Sequence, residues 1–311
     1  MPCATFAQQK PISYPTKPIR VLVTIAAGGG PDIVIRMVSQ IVNDKLGQPF
    51  VIDNRPGGGT VIATDVVAHA APDGYTLLLS TDILPFLTVT KRVTYDVRTR
   101  FDPVVQMTRQ PYVMTITPAL PVKTVKELIA YAKARPDALN YASQSVFGVG
   151  HLAMERFKAL TGTQMVHVPY KGTTPAFLDL IAGQVQLLLA SPVSATQHIV
   201  SGKVRALAVC GPRRLAHLPE LPTMHEAGIA DFHAGNSYNL VAPAGTPRTI
   251  ITALNSVIAT GLNTPEMIKR LAADGSEGAP LASPEAFRAY FERRSEEHTS
   301  ELQSRFGISY A

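Results

Sequence analysis

The stretch that decides the fold is IRVLVTIAAGGGPDIVIR, residues 19–36. Its first part is rich in apolar and β-branched residues, which is typical of a buried strand. Three consecutive glycines follow, then Pro31 and Asp32, and then apolar residues at helical spacing. Proline at a first helical position with an acidic residue beside it marks a helix start. The sequence therefore predicts a strand, a glycine turn and a helix in that order.

This turn has the layout of an anion-binding site. The unpaired N–H groups at a helix start point beyond the end of the strand, and the helix dipole adds positive potential there. The turn contains neither the dinucleotide pattern G-x-G-x-x-G nor the Gly-Lys-Ser/Thr of a phosphate loop. Two interpretations stay open: an anion-binding turn, or a glycine turn that only lets strand and helix pack closely.

Length and composition fit a globular protein of two domains. The chain has 311 residues, of which 46% are hydrophobic and 17% are charged. Its formal net charge of +6 comes from scattered lysines and arginines, which suits an acidic ligand and argues against nucleic acid as a partner. The two cysteines imply neither a disulfide framework nor a metal cluster, and we expect no cofactor. Cys210 lies in an apolar run and is expected to be buried.

Both ends of the chain are set apart from the fold. Residues 1–9, MPCATFAQQ, resemble the last part of a secretory signal, so we interpret 1–13 as a signal or linker remnant. Residues 294–304, RSEEHTSELQS, read like a translated sequencing adapter, so we interpret 294–311 as an artefact rather than a frayed polar helix. A secretory signal predicts export from the cytoplasm.

The chain between these ends alternates strands and helices. Apolar strands are expected at 50–54 and 75–79, and turns rich in glycine or proline separate them from helices. This alternation predicts a parallel sheet with helices on both faces. Ligands of such sheets bind beyond the carboxyl ends of the strands, where Gly28, Ser80 and Thr81 would meet.

The same arrangement recurs in the second half. A short strand at 140–143 leads into a turn of small residues, and helical spacing resumes at His151. Two extended segments, near 104–116 and 235–241, are expected to connect the two units. We therefore predict a two-lobed protein that closes on one ligand about these crossings.

Seven segments between Tyr14 and Arg293 carry a resemblance to a known family. The chain resembles the substrate-binding proteins of tripartite tricarboxylate transporters, the Bug-type periplasmic receptors. The segments are YPTKPIRVLV (14–23), AGGGPDIVIR (27–36), LGQPFVIDNRPGGG (46–59), APDGYTLLLS (71–80), VPYKGTTPAFLDLIAGQV (168–185), LPELPTMHEAG (218–228) and APAGTP (242–247).

The resemblance implies a fold and a function. The fold would be α/β, the two-lobed periplasmic-binding-protein fold (type II-like), with two doubly wound domains joined by crossing extended strands. Domain 1 would comprise 14–110 and 235–293, and domain 2 would comprise 111–234. The protein would be a monomer without catalytic activity. It would capture a small carboxylate in the periplasm and deliver it to the membrane permease of a tripartite transporter.

The resemblance also implies a binding site. The family holds ligand carboxylates through backbone N–H groups and ordered waters at two helix-start turns, which correspond here to Gly28 and Gly29 and to residues 143–145. Asp32 is either a ligand contact or a helix cap, and Tyr170 either lines the cleft or only flanks it. The full set of candidate ligand-binding residues is Ile25, Ala27, Gly28, Gly29, Asp32, Ser80, Thr81, Ser143, Gln144, Ser145, Gly148 and Tyr170.

Departures from the family pattern bear on the ligand. Thr24 and Ile25 stand where the family has a proline and an aromatic residue that packs on the ligand. Phe147 stands in the second turn, where small residues are usual, and is expected to crowd the pocket. Tyr238 stands in place of the usual tryptophan. A different or smaller ligand is therefore expected, and which carboxylate binds stays open.

Two other classes of function lack the motifs they need. A hydrolase-like enzyme on a similar fold would require a nucleophile, a base and an orienting acid. The sequence has neither a G-x-S-x-G elbow nor an H-E-x-x-H motif. A cytoplasmic regulator would require a DNA-binding helix-turn-helix, and no segment remains to supply one.

Overall fold

Two β-sheets organise the chain. This computed structural model describes residues 14–146, 148–230, 232–273, 275–278 and 283–293. The strands are β1 (Ile19–Val23), β2 (Phe50–Asn54), β3 (Thr76–Thr81), β4 (Phe101–Pro111), β5 (Val113–Ile116), β6 (Asn140–Ser143), β7 (Val166–Pro169), β8 (Leu187–Ala190), β9 (Arg205–Val209), β10 (Gly235–Pro243) and β11 (Glu277–Gly278). The helices are α1 (Gly30–Leu46), α2 (Val61–Ala68), α3 (Phe86–Val89), α4 (Val97–Arg100), α5 (Val125–Ala134), α6 (Val149–Thr161), α7 (Thr173–Ile181), α8 (Pro192–Val200), α9 (Arg248–Leu262) and α10 (Pro265–Ala273).

The first sheet has the strand order β11-β4-β10-β3-β1-β2, and the second has the order β7-β6-β8-β5-β9. β1 pairs in parallel with β2 and β3, as β6 does with β7 and β8. β10 is antiparallel to β3 and β4, and β5 is antiparallel to β8 and β9. The sheets are therefore mixed rather than wholly parallel, because the strands next to the crossings run against their neighbours.

The opening stretch folds as the sequence predicts. α1 has Pro31 in its first turn and ends at Gly47, whose φ of 70° is the left-handed conformation usual at helix ends. Alternate residues of β3 enter different cores, as expected for a strand covered on both faces. Leu77 and Leu79 pack with α1 and α9, whereas Leu78 packs with α2 on the other face.

Two crossings join the sheets and lie side by side. β4 continues through Tyr112 into β5, and the return passes through Ala234 into β10. The Tyr112 N–H donates to the Ala234 carbonyl at 2.8 Å, and the Cys210 N–H donates to the Tyr112 carbonyl at 2.7 Å. Cys210 itself is buried, as predicted, and burial raises the pKa of its thiol. This architecture confirms the predicted two-lobed α/β fold.

Some details differ from the prediction. α8 lies in a segment for which apolar spacing alone predicts no helix. The sheet changes between β4 and β5, close to the predicted domain boundary at 110/111, which itself stays a prediction. Within the described residues, no helix is long and apolar enough to cross a membrane. The predictions for 1–13, Phe147 and 294–311 lie outside the described residues.

Candidate functional site

A cavity of about 30 Å³ lies between the lobes at the crossings. The first lobe contributes Ile25, Pro31, Thr60, Thr81 and Ile83. The second lobe contributes Gln144, Ser145, Gly148, Val149, Thr173 and Ser191. The crossing strands contribute Tyr112, Asn236 and Tyr238. Because both lobes and the crossings line it, this cavity is the cleft that a two-lobed protein would close on a ligand.

Five helices begin at this cavity. Their first residues lie next to or within its wall, at Pro31 for α1, Thr60 for α2, Gly148 for α6, Thr173 for α7 and Ser191 for α8. None of these five helices has a side-chain hydrogen bond at its N-cap. The first N–H groups of an uncapped helix bond to water or ligand, and each helix start carries partial positive charge. The cavity is therefore electropositive through its backbone.

The described side chains of the cavity wall carry no formal charge. They offer hydroxyl groups from serine, threonine and tyrosine and amide groups from Gln144 and Asn236. Burial raises the pKa of Tyr112 and of Tyr238, so both hydroxyls stay protonated. An anion in this cavity would be held by helix starts and neutral hydrogen-bond donors rather than by an opposite charge.

A larger groove on the second lobe does not share these features. It has a volume of about 700 Å³ and is lined by residues that include Lys123, Thr124 and Arg205. Its helix start, that of α5, is capped, because the Thr124 hydroxyl accepts a hydrogen bond from the Glu127 N–H at 3.1 Å. Chemistry rather than size therefore identifies the cavity between the lobes as the candidate site.

The structure brings five of the candidate residues to the cavity wall, namely Ile25, Thr81, Gln144, Ser145 and Gly148. In the second turn, the Gly148 N–H donates to the Ser145 carbonyl at 3.2 Å, which closes the turn just before α6. The Gln144 Nε2 donates to a backbone carbonyl of β8 at 2.8 Å and so fixes that side chain in the wall.

In the first glycine turn, the Asp32 side chain accepts a backbone N–H that a ligand could otherwise bind. The Gly28 N–H donates to Asp32 Oδ2 at 3.0 Å, so this donor does not face the cavity. Asp32 also accepts hydrogen bonds from Arg36 and Asn54. Burial raises the pKa of Asp32, but these hydrogen bonds outweigh burial and hold it below its ordinary value. The structure thus gives Asp32 an internal role in the turn and does not place Gly28 or Asp32 in the cavity wall.

Ala27 and Gly29 lie at the edge of the site. Ala27 is exposed, and its carbonyl accepts a hydrogen bond from Thr174 of the second lobe at 3.0 Å. Gly29 lies behind the Ile25 side chain, where an added Cβ would stand 2.7 Å from Ile25 Cδ1. Neither residue is part of the described lining.

Ser80 and Tyr170 face away from the cavity. Ser80 precedes Thr81 on β3, and alternation turns it to the opposite face of the sheet, where Leu78 packs. The Tyr170 hydroxyl donates to Asp179 Oδ2 at 2.7 Å. Partial burial, together with Asp179, raises the pKa of Tyr170 to about 12.

Ser143 supports the second turn from behind. Its hydroxyl donates to the Ser145 carbonyl at 2.9 Å and lies 2.7 Å from Nε2 of His167. When the serine proton is directed to the carbonyl, Nε2 of His167 is the donor to the Ser143 oxygen. Ser143 therefore holds a cavity residue without lining the cavity itself.

Three hydrogen bonds between described residues join the lobes over the cleft. The Ala26 N–H donates to the Lys171 carbonyl at 3.2 Å, and Thr174 bonds the next residue of the same turn. On the other side, Arg92 Nη1 donates to the Val146 carbonyl at 3.2 Å. The lobes are therefore in contact across the site in this conformation.

Sequence reasoning missed several wall residues. Thr60 follows the second glycine turn, Ser191 stands before Pro192 at the end of β8, and Thr173 follows Gly172. Each of these is a small polar residue at a strand–turn–helix junction, so the rule that selected the other two turns could have found them. Tyr112 and Asn236 carry no such signal, because only the crossing of the strands brings them to the cavity.

Comparisons with known proteins point to one family. Residues 34–289 match the model of the tripartite tricarboxylate transporter family receptor, TctC. Protein BugT of Bordetella pertussis is 36% identical over 293 residues, which cover 92% of this chain and 90% of BugT.

Solved structures with the same fold also resemble this chain. R. palustris Rpa4515 with adipate is 33% identical with a TM-score of 0.87, over 93% of this chain and 97% of that one. MatC (Rpa3494) from Rhodopseudomonas palustris with bound malate is 29% identical with a TM-score of 0.86, over 92% of this chain and 99% of that one. From its sequence and its fold alike, this chain belongs to the tripartite tricarboxylate transporter receptor family.

Proposed function

We propose that this protein binds a small carboxylate in the cavity between its lobes and delivers it to the permease of a tripartite transporter. The observation that carries the proposal is the convergence of five uncapped helix starts, four of them without an acid in the first turn, on a wall whose described side chains are uncharged. Such a site favours a negative group and, lacking a fixed counter-charge, can release it again. Family receptors are periplasmic solute-binding proteins, and the same location is proposed here.

The two lobes hold the ligand from opposite sides. In the second lobe, Ser145 and the starts of α6, α7 and α8 face the cavity, and in the first lobe Thr81 and the starts of α1 and α2 face it. A ligand that contacts both walls only when they are close together shifts the population towards the closed form. The protein would act as a monomer, with its two domains divided near residues 110/111 and 234/235. Closure of these domains would then present the loaded receptor to the permease.

The wall chemistry supports binding rather than catalysis. Ser145 is a hydroxyl at the site, but the described lining offers no histidine, cysteine, lysine or carboxylate to activate it. His167 bonds Ser143 rather than a residue of the wall. A serine without a base within reach is a hydrogen-bond donor to a ligand, not a nucleophile.

A thermal-shift screen of the full chain tests the proposal. The panel contains malate, adipate, citrate, glutamate and benzoate, each at several concentrations. A true ligand at 100 times its Kd stabilises the folded protein by about 2.7 kcal/mol, so its melting temperature should rise with concentration. Malamide and adipamide are matched controls, since they keep the carbon chain and remove the charge.

The screen has a clear negative outcome. If the diamides raise the melting temperature as much as the acids, the site does not select for a carboxylate. If no acid shifts the melting temperature at any concentration, the proposed ligand class is wrong.

A further inference from the structure

Thr60, in the cavity wall, has a backbone conformation and a buried hydroxyl that its contacts within the fold do not explain. It lies at the N-cap of α2, is 5% exposed, and has a φ of 78°. Its Oγ1 is buried and has no hydrogen-bond partner among the residues that the structure describes. Backbone strain and an unpaired polar group thus coincide at one position in the candidate site.

The backbone at Thr60 suits glycine better than threonine. Gly57, Gly58 and Gly59 precede it, all with positive φ, and Thr60 continues the same left-handed path. A positive φ is a true outlier for a β-branched residue, because Cβ crowds the neighbouring carbonyl, whereas glycine adopts it freely. Residues kept in such conformations cluster at functional sites, where the side chain has a task that offsets the strain.

That task is not helix capping. A threonine at an N-cap usually accepts a hydrogen bond from one of the first helical N–H groups, and Thr60 makes no such bond. Its backbone is already engaged, since its N–H donates to Gly57 and its carbonyl accepts from Thr64 Oγ1 at 2.8 Å. Of the polar groups of Thr60, the hydroxyl is the one without a hydrogen bond to a described residue. A buried hydroxyl without a partner lowers the stability of a native protein.

We infer that Thr60 Oγ1 donates a hydrogen bond to a carboxylate oxygen of the bound ligand and so helps to set specificity. The inference rests on the proposed function of the cavity. The start of α2 adds positive potential at the same spot, so a charged oxygen there receives both a direct donor and the helix dipole. Thr60 is then the first-lobe counterpart of Ser145.

The contact is linked to closure. Arg92 lies over the turn, where an added Cβ on Gly59 would collide with its Nη1. The same Nη1 donates to the Val146 carbonyl of the second lobe. The segment that carries Thr60 therefore lies beside a contact that joins the lobes, and the inference places its hydroxyl against the ligand when the walls are together.

Three variants of the full chain test this inference. Thr60→Val keeps the shape and the β-branch and removes only the hydroxyl, whereas Thr60→Ser keeps the hydroxyl. Thr108→Val is the matched control: Thr108 is 0% exposed and its Oγ1 is also unpaired, but it lies outside the described cavity wall. Calorimetric titrations with malate and adipate give affinities, and melting temperatures without ligand report on the fold.

We expect Thr60→Val to weaken binding by about tenfold or more, because a hydrogen bond to a charged group is lost. Its melting temperature without ligand should not fall, since no protein hydrogen bond is broken. Thr60→Ser and Thr108→Val should bind within about threefold of wild type.

Two results would overturn the inference. If wild type binds an acid and Thr60→Val binds it equally well, the hydroxyl is not a ligand contact, while the proposed function stands. If Thr60→Val weakens binding only in step with a lower melting temperature, its role is structural. A wild-type protein that binds neither malate nor adipate, nor any other acid of the thermal-shift panel, removes the proposed function and this inference together.

Discussion

The two turns that the sequence pairs as equivalent are not equivalent in the structure. Each follows a parallel strand and precedes a long helix, with small residues between them. The second turn supplies Gln144, Ser145 and Gly148 to the cavity wall. The first supplies Ile25 and Pro31, and its central glycines stay outside the described lining.

Two side chains of the first turn account for the difference, because Ile25 lies over Gly29 and Asp32 accepts the Gly28 N–H. In the first turn, Asp32 lies four positions after Gly28, accepts its N–H and is 3% exposed. In the second turn, residues 143–150 contain no acid, and the Ser145 carbonyl is held by the Ser143 hydroxyl and the Gly148 N–H. An anion-binding pattern is therefore available to a ligand only where the protein has not already supplied an anion of its own.

The largest expected effect tests the difference between the turns by placing the same negative charge in each of them, in two separate variants. Ser145→Asp puts a carboxylate in the cavity wall, where like charges close together cost several kcal/mol, so affinity for an acid should fall by more than about 100-fold. Ala27→Asp puts it on an exposed residue of the first turn, where solvent screens it. We expect a loss of less than about threefold, measured by calorimetry.

Melting temperatures of the two ligand-free variants control for folding. Equal losses of affinity in Ala27→Asp and Ser145→Asp would mean that both turns face the ligand alike. Unchanged affinity in Ser145→Asp would show that the second turn is not an anion site.

Much of this fold follows from local sequence. Strand β1, the start of α1 at Pro31 and the two extended crossings are set by apolar runs, helix-start signals and chain continuity. These are short-range properties, so one sequence is enough to predict them. The turn that supplies Gln144, Ser145 and Gly148 to the cavity wall is predictable for the same reason.

The rest of the site is a tertiary property. Tyr112 and Asn236 reach the cavity because two crossing strands pass beside each other, and no local pattern encodes that. Ser80 fails to reach it because strand alternation puts it on the other face from Thr81. The hydrogen bond from the Gly28 N–H to Asp32 is also not predictable from the local pattern, because it depends on the folded start of α1.

A variant without the Asp32 charge tests its role in the first turn. Asp32→Asn loses charge-assisted hydrogen bonds to Arg36, Asn54 and the Gly28 N–H, so the free energy of unfolding should fall by about 1–3 kcal/mol in urea titrations. Affinity for an acid should not fall, because the first turn becomes more positive. Asp53→Asn is the matched control: Asp53 pairs with Arg20 with its side chain 26% exposed, and its loss should cost less than about 1 kcal/mol.

The dependence on pH gives a second check on Asp32. Its pKa is lowered in the folded protein, so its contribution is present above the ordinary carboxyl pKa of about 4 and is lost as pH falls below that value. The difference in stability between wild type and Asp32→Asn should therefore shrink below about pH 4. A lower affinity for acids in this variant would contradict the view that Asp32 blocks the first turn.

The smallest effect concerns the support of the second turn. His167 Nε2 donates to Ser143, and the His167 ring stacks on His151 with centroids 3.9 Å apart. Burial, and then repulsion from His151, lowers the pKa of His167 to about 4, and Glu155 and Lys158 also face this pair. His167 is therefore neutral in the folded protein near neutral pH.

His167→Gln removes the titration and can keep a donor to Ser143. An unfolded histidine titrates near 6.5 and binds its proton before the folded one, so wild-type stability should decline as pH falls from about 6.5 to about 4. Because the ring is partly exposed, His167 should account for less than about 1 kcal/mol of that decline. Melting temperatures between pH 4.5 and 7.5 should fall less in His167→Gln, with affinity at pH 7.5 unchanged. His167→Leu has no donor, so it should share the flatter profile but bind acids more weakly; if it binds as well as His167→Gln, Ser143 holds the second turn without help from His167.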